Sequence, residues 1–150
     1  MSAAQDELSR TNAVAKLPLL AAVVALIGLA DSIYLTIHHL SGEQVPCSVT
    51  GGCETVLTSY YAEIAGIPLA AFGAAAYFLA FSLAILAAFG NRKLWFLFGV
   101  QVSLMAIFSL WLFYLQAFVI KAFCQFCLLS ATICLTLFVI ALTSKFWRSR

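Results

Sequence analysis

Four long apolar stretches constrain this chain more than any other feature of its sequence. Each is long enough to cross the hydrocarbon core of a bilayer as a helix, which takes about 20 residues; they run over 17–40, 67–89, 94–120 and 123–144. Charged residues are only 9% of the 150, against about 25% in a soluble domain. Because backbone groups in lipid must be hydrogen-bonded within their own segment, helices are the default. The sequence therefore predicts an all-α integral membrane protein, a bundle of four transmembrane helices in a single domain over 1–150.

The basic residues predict the orientation of this bundle. Seven of the eight Lys and Arg residues lie before the first stretch, between the second and third, or after the fourth, and the eighth is Lys121. The loop 41–66 contains none. Since Lys and Arg favour the cytoplasmic side, we expect the tails 1–16 and 145–150 in the cytoplasm and this loop outside. The net charge of +2 is too small and too scattered to indicate a nucleic-acid partner.

The outer loop reads SGEQVPCSVTGGCETVLTSYYAEIAG and carries Cys47 and Cys53. Pro46 and the Gly51-Gly52 pair mark it as a turn-rich connection. Taken alone, its cysteines fit a structural disulfide in an oxidising compartment as well as a reactive one. Beyond them, residues at spacings of three and four predict a short amphipathic helix that lies as a lid on the outer end of the bundle; they are Val56, Leu57, Tyr60, Tyr61 and Ile64.

A Cys-x-x-Cys pair, Cys124 and Cys127, opens the fourth stretch on the same side of the membrane as the loop. Residues three apart share a helix face, so both sulfurs can point the same way. The first turn of a helix has a partial positive charge and free N–H groups, which stabilise a thiolate. In such motifs the thiol pKa can fall well below its free value of about 8.5. Because the thiolate attacks disulfides, this position favours thiol–disulfide exchange over a structural staple.

The fifth cysteine and a zinc site are the competing uses of these sulfurs. Cys134 lies seven residues past Cys127, about 10 Å along a helix, and disulfides need Cα atoms within about 7 Å. We expect it to be a small buried apolar side chain. A zinc site draws on cysteine pairs spaced two to four apart, and only the second pair fits. His38 and His39 would be further ligands, but an oxidising outer face disfavours free thiolates and we expect no metal.

The order of these motifs resembles the vitamin K epoxide reductase family, and most closely its bacterial members, from about Asp31 to Cys134. Its markers are the two loop cysteines, Ser59 six residues later, the Gly66-Ile67-Pro68-Leu69 entry to the second helix, Phe72-Gly73, and Cys124-Gln125-Phe126-Cys127. DsbB-type oxidases also have four helices and two outer cysteine pairs. In them, however, the Cys-x-x-Cys motif lies in the first outer loop, whereas here it opens the last helix.

The resemblance implies an electron relay that supports disulfide formation. A separate thioredoxin-fold, DsbA-like partner would attack the loop disulfide at Cys47, and Cys53 would then exchange with Cys124. Cys127 would lie nearest a membrane quinone (menaquinone, ubiquinone or phylloquinone), with Ser59 positioning or hydrogen-bonding near the reactive pair. The expected location is a bacterial inner membrane, with the redox cysteines at the periplasmic face.

Three residues are expected to contact the quinone: Phe72, Ala131 and Asp31. Asp31 is the only acidic residue within a predicted span, which is a functional indication in itself. Its alternative role is a polar contact that fixes helix packing. Ala131 stands where animal members have a Tyr, four residues after the last catalytic cysteine, and a small residue there fits close helix packing as well as a flat ring.

Three alternatives to the relay remain open from the sequence. The first is an animal-type vitamin K epoxide or quinone reductase, which the alanine at position 131 puts in doubt. The second is a non-enzymatic membrane scaffold whose disulfides only brace the outer loop. The third is a metal-handling membrane protein.

Overall fold

The computed structural model describes residues 2–149, and for Val14 and residues 147–149 it describes the backbone alone. The side chains of Arg148 and Arg150, two of the basic residues behind the predicted orientation, therefore lie outside the described part. Within it, the long helices are α1 (Ser2–Ser41), α3 (Leu69–Ala88), α4 (Arg92–Tyr114) and α5 (Gln125–Ser149). A short α2 (Cys53–Leu57) lies in the outer loop.

Four helical segments of the described chain are long and apolar enough to cross a membrane: Ser2–Ser41, Leu69–Ala88, Arg92–Ile120 and Gln125–Phe146. The predicted fold class, a four-helix integral membrane bundle, is confirmed. The first helix starts 15 residues before the predicted span, because most residues of the polar 1–16 tail are adequate or good helix formers. Which side of the membrane each tail occupies stays a prediction.

Small residues let α1 and α3 pack closely. Ala21 and Ala25 of α1 and Ala80 and Ala84 of α3 are completely buried, and within each helix they are four residues apart on one face. Such residues allow two backbones to approach in a membrane, where dispersion contacts replace the hydrophobic effect. The ring of Tyr77 packs directly over Gly28, at the outer end of this contact. The inner half of the bundle is therefore tightly filled.

α4 and α5 complete the core from the other side. Phe98 and Val102 of α4 and Leu137 of α5 are fully buried against the alanine contact. The indole Nε1 of Trp95 donates a 2.7 Å hydrogen bond to Oγ of Ser144. This buried bond joins the beginning of α4 to the end of α5.

The outer loop differs from the single amphipathic helix predicted for it. The helical part, α2, ends at Leu57; a 3₁₀ turn covers Tyr60–Ala62, and β1 (Glu63–Ile64) then pairs antiparallel with β2 (Ile67–Pro68). Ser59 has an extended backbone, which interrupts the helix between the two turns. Only Val56 of the five residues predicted as its apolar face is buried, and Tyr60 is 92% exposed. The segment covers the bundle through short turns and a hairpin.

The end of α4 departs from regular geometry just before the second cysteine pair. Leu115–Ile120 forms a π-helical turn, and Lys121 then takes a left-handed conformation with φ of 55°. The backbone N–H of Ala122 returns to the carbonyl of Gln116 at 3.2 Å. Such π-helical turns are rare in proteins, and those that occur often lie at functional sites.

Candidate active site

The two loop cysteines form a disulfide. Cys47 and Cys53 are bonded, with their Cα atoms 5.9 Å apart. Their surroundings differ, because Cys53 is completely buried whereas Cys47 is half-buried. The hydroxyl of Thr50 donates to Sγ of Cys47 at 3.3 Å. A soluble thiol can therefore approach this disulfide only at Cys47.

The loop disulfide lies against the segment that carries the second pair. Cys53 and Cys124 are both completely buried in one small apolar cluster with Val56, at the outer end of the bundle. Gly52 makes this contact possible, since a Cβ there would lie 2.6 Å from the backbone carbonyl of Phe123. The backbone N–H of Val49 donates to Oε1 of Gln125 at 3.0 Å, which fixes the loop on the Cys-x-x-Cys motif itself.

Cys124 and Cys127 are free thiols at the start of α5. Cys124 is the residue before the helix, and its carbonyl accepts the first helical hydrogen bond, from the N–H of Leu128 at 2.9 Å. The sequence predicts it in the first turn, and the structure places it at the N-cap instead. That position turns its sulfur toward the unpaired N–H groups of the first turn.

The pKa of the Cys124 thiol is lowered to about 7. The largest cause is a hydrogen bond from the thiol of Cys127; burial opposes it, and the backbone N–H groups of Cys127 and Phe126 lower the pKa further. The negative charge of Asp31 acts in the other direction. At neutral pH a large fraction of Cys124 is therefore thiolate, the form that attacks disulfides.

Gln116 holds Cys124 from the π-helical turn. Its side-chain Oε1 accepts the backbone N–H of Cys124 at 3.1 Å, and its side chain is buried. In the sequence, Gln116 is one of two glutamines within the third apolar stretch, 94–120. No sequence pattern marks this contact, since it depends on the π-turn that brings residue 116 back over residue 124.

A cavity of about 360 Å³ opens beside the second pair, between α1, α3, α4, α5 and the outer loop. Cys127 lines it, whereas Cys124 does not, so the two sulfurs have different neighbours. Most of its wall is apolar, and no Lys or Arg of the described residues contributes to it. It has the volume and character of a site for a small flat apolar molecule.

Each further residue predicted for the site lines this cavity. Asp31, Phe72 and Ala131, expected as quinone contacts, come from α1, α3 and α5. Ser59 lies at its outer end, and its hydroxyl donates a 2.7 Å hydrogen bond to the carbonyl of Val56. That bond ends α2, so in this state the hydroxyl is engaged with the outer loop. Whether these four residues act in catalysis stays a prediction.

Two polar contacts were not foreseen from the sequence. At the inner end of the cavity, the hydroxyl of Tyr77 donates to the carbonyl of Ser130 at 2.8 Å and lies 3.1 Å from Sγ of Cys134. At the outer end, Nε2 of His39 lies 2.6 Å from Oε1 of Glu63 and joins α1 to the hairpin. Within the described part of the chain, no three His, Cys, Asp or Glu side chains come together as a metal site.

Comparisons with known proteins agree with this arrangement. The sequence profile of the Vitamin K epoxide reductase family matches residues 19–142. A curated relative, the Thiol-disulfide oxidoreductase LTO1 of Arabidopsis thaliana, is 29% identical over 122 residues. The aligned part is 75% of this chain but only 32% of that relative, so the chain spans about a third of the length of the protein it matches.

Proposed function

The chain belongs to the vitamin K epoxide reductase family, a family of membrane oxidoreductases, and on that premise we propose that it is a quinone-dependent thiol oxidase. It takes electrons from a thioredoxin-fold partner through Cys47 and Cys53, then through Cys124 and Cys127, and delivers them to a quinone of the membrane. The observation that carries the proposal is the burial of Cys53 and Cys124 in one apolar cluster.

The states of the two pairs correspond to one point of the proposed transfer. The loop pair is oxidised and the Cys-x-x-Cys pair is reduced. A reduced partner opens the loop disulfide at the accessible Cys47 and leaves two loop thiols. Cys53 then attacks an oxidised Cys124–Cys127 pair at Cys124, and Cys47 resolves the Cys53–Cys124 bond. The described arrangement corresponds to the end of this sequence, with both electrons on Cys124 and Cys127.

The cavity supports a quinone as the acceptor. A quinone ring is flat and apolar with two carbonyl oxygens, and the cavity offers an apolar wall with few polar groups. Phe72 and Ala131 supply wall surface from opposite helices, and Asp31 supplies a polar atom. Cys127 carries a sulfur to the same space. When bound, the quinone accepts two electrons and two protons.

The surroundings of the cysteines also support a periplasmic partner. Oxidised disulfides persist in an oxidising compartment, and the bacterial periplasm is kept oxidising through quinone. Cys47 is the less buried cysteine of the loop pair, so it is the one that a separate DsbA-like protein could reach. We therefore propose a bacterial inner membrane, with both termini in the cytoplasm and the cysteines outside.

Replacing Cys127 with Ala tests the relay. In reconstituted membranes, a reduced DsbA-type protein and ubiquinone-1 should give quinone reduction with the native chain and none with Cys127→Ala. Ser103→Ala, a small-residue change on α4 whose hydroxyl only binds the carbonyl of Gly99, serves as the control and should keep the native rate.

Thiol trapping provides the second readout. With Cys127 absent, Cys124 can form the bond to Cys53 only by attacking the loop disulfide, which releases the Cys47 thiol. Alkylation of Cys47 as it is released should prevent the reverse attack, so the Cys53–Cys124 bond should accumulate and appear as a cross-link by mass spectrometry. Quinone turnover by Cys127→Ala would exclude the relay. A single inert Cys47–Cys53 disulfide that no partner reduces would favour the scaffold instead.

A further inference from the structure

Asp31 has no described partner for one of its carboxyl oxygens. It lies on α1 within the first span, is 9% exposed, and its Oδ2 is buried without a hydrogen bond among the described residues. Charges and unpaired polar atoms are expensive in the interior of a membrane protein. A buried oxygen without a partner indicates that the carboxyl group is protonated or that a ligand binds to it.

The cavity offers space for such a ligand next to Asp31. Asp31 lines it and is the one carboxyl group of the described lining. The hydroxyl of Tyr77, another polar group of the lining, is already bonded to Ser130 and lies beside Cys134. His39, at the outer rim, is paired with Glu63.

No Lys or Arg compensates Asp31 within the described lining. α4 contributes only apolar side chains and one hydroxyl, from Leu104, Met105, Phe108, Ser109, Leu112 and Phe113. A buried carboxyl group without a counter-charge is more stable with its proton. Asp31 is thus suited to hold a proton in a space that water enters poorly.

Asp31 also lies near the reacting sulfurs. It shares the cavity wall with Cys127. In its ionised form Asp31 would raise the pKa of Cys124, as the last of the causes that act on this thiol, behind the Cys127 hydrogen bond, burial and two backbone N–H groups. A group in this position can give a proton to a molecule in the cavity that Cys127 also lines.

We propose that Asp31 is a further catalytic residue: its carboxylic acid gives a proton to an oxygen of the quinone in the cavity while the Cys124–Cys127 disulfide forms. This role rests on the proposed function. It assigns to a residue of α1 the proton transfer that accompanies the electrons from α5.

The step balances in atoms and electrons. The bond that forms is the sulfur–sulfur bond of Cys124 and Cys127, which lose two electrons and the equivalent of two protons. The quinone is the oxidant, and its two oxygens gain those electrons and protons. Asp31 gives one proton and is returned to its acid form by one of the protons that leave the thiols. No further reductant or oxidant is needed.

A single-turnover experiment on the full chain in lipid nanodiscs tests this role without any partner. The protein is fully reduced, freed of reductant and mixed with ubiquinone-1 or, separately, menadione. Samples are quenched in acid, and the disulfide at residues 124 and 127 is followed by thiol labelling and mass spectrometry. Glu43→Gln, which neutralises an exposed carboxylate of the outer loop, is the matched control.

Asp31→Asn should slow disulfide formation by about 10²–10⁴-fold, the usual contribution of a positioned acid. The loss should be in the rate at saturating quinone, with the half-saturating concentration changed less than threefold. Asp31→Glu keeps the carboxylic acid, so its rate of disulfide formation should be at least tenfold higher than that of Asp31→Asn. Because this comparison is between two variants of similar size, it also tests the role if Asp31→Asn lowers the stability of the protein. Glu43→Gln should match the native chain.

Three results would overturn the role. Asp31→Asn that reacts within threefold of the native chain shows that no proton comes from this residue. A change confined to the half-saturating concentration shows a binding contact instead. A native chain that keeps its thiols with both quinones overturns the proposed function, and this role with it; that result is distinct because it needs no substitution.

Discussion

At the scale of single residues, the chemistry of the site depends on the position of Cys124 directly before the N-terminus of α5. As the N-cap it accepts hydrogen bonds from the backbone N–H groups of Phe126 and Cys127 and from the thiol of Cys127. All three stabilise its thiolate, and they outweigh the cost of complete burial. The two cysteines of the motif therefore have different neighbours: Cys124 lies against the loop disulfide, and Cys127 lines the cavity.

The pKa of Cys124 gives a prediction about pH. Because the folded pKa is lowered to about 7, the reduced protein should gain one thiolate between about pH 6 and pH 8. Removing Cys127 takes away the largest cause, so in Cys127→Ala this titration should move to higher pH. Thiolate absorbance near 240 nm, recorded with Cys47 and Cys53 replaced by Ala, measures it.

The control for this titration is Cys134→Ala, since Cys134 is bonded to Tyr77 and is not among the causes that act on Cys124. It should leave the transition near pH 7 in place. A transition that stays near pH 7 in Cys127→Ala would contradict the assigned cause.

At the scale of elements, the π-helical turn Leu115–Ile120 and the chain after it set the position of α5. The carbonyl of Gln116 accepts the N–H of Ala122, and its side chain accepts the N–H of Cys124. A regular α-helix followed by an ordinary loop would not bring residue 116 into contact with residues 122 and 124. The left-handed backbone at Lys121 completes the return.

Gln116→Leu tests this element. It removes the acceptor of a buried N–H, which typically costs about 1–3 kcal/mol. We expect a lower melting temperature and faster amide exchange at the start of α5. Gln101→Leu is the matched control, because Gln101 lies in the same span and makes none of these contacts. Equal effects of the two substitutions on exchange at residues 122–124 would show that Gln116 does not hold this segment.

At the scale of the whole molecule, the bundle separates a closed inner half from an open outer half. Alanine contacts between α1 and α3, with Phe98, Val102 and Leu137, fill the inner half. The cavity occupies the outer half, beneath the loop that carries the disulfide. In the proposed relay, the whole path from the loop disulfide to the cavity therefore lies within the same half of the molecule.

This arrangement predicts which loop cysteine meets the partner. Cys47 is half-buried and Cys53 is completely buried. With Cys53→Ala, the remaining Cys47 should form a stable mixed disulfide with a DsbA-type protein. With Cys47→Ala, the remaining Cys53 should form at least tenfold less, because its sulfur is covered. Gel analysis of non-reduced samples measures both.

Two further variants serve as comparisons in that experiment. Cys134→Ala should leave the Cys47 adduct unchanged, since position 134 lies two turns inside α5. The double replacement of Cys47 and Cys53 should capture no partner at the loop. Equal capture by Cys47 and Cys53 would show that the loop opens enough to expose both sulfurs.

The sequence by itself determined the membrane fold, the number of helices and the residues worth attention. In an apolar run of about 20 residues within lipid, the backbone N–H and C=O groups must be hydrogen-bonded inside the segment, which requires a spanning helix. The spacing of the cysteines is read directly from the sequence. Only the tertiary structure decided that Cys124 is an N-cap held by Gln116, that Gly52 lets the loop pack against the second cysteine pair, and that Asp31 faces a cavity with an unpaired oxygen. The Gly52 contact and the cavity beside Asp31 depend on residues far apart in the chain, and the Gln116 contact depends on the π-helical turn. The outer loop keeps only the short α2 of its predicted helix, because the extended backbone at Ser59 interrupts it.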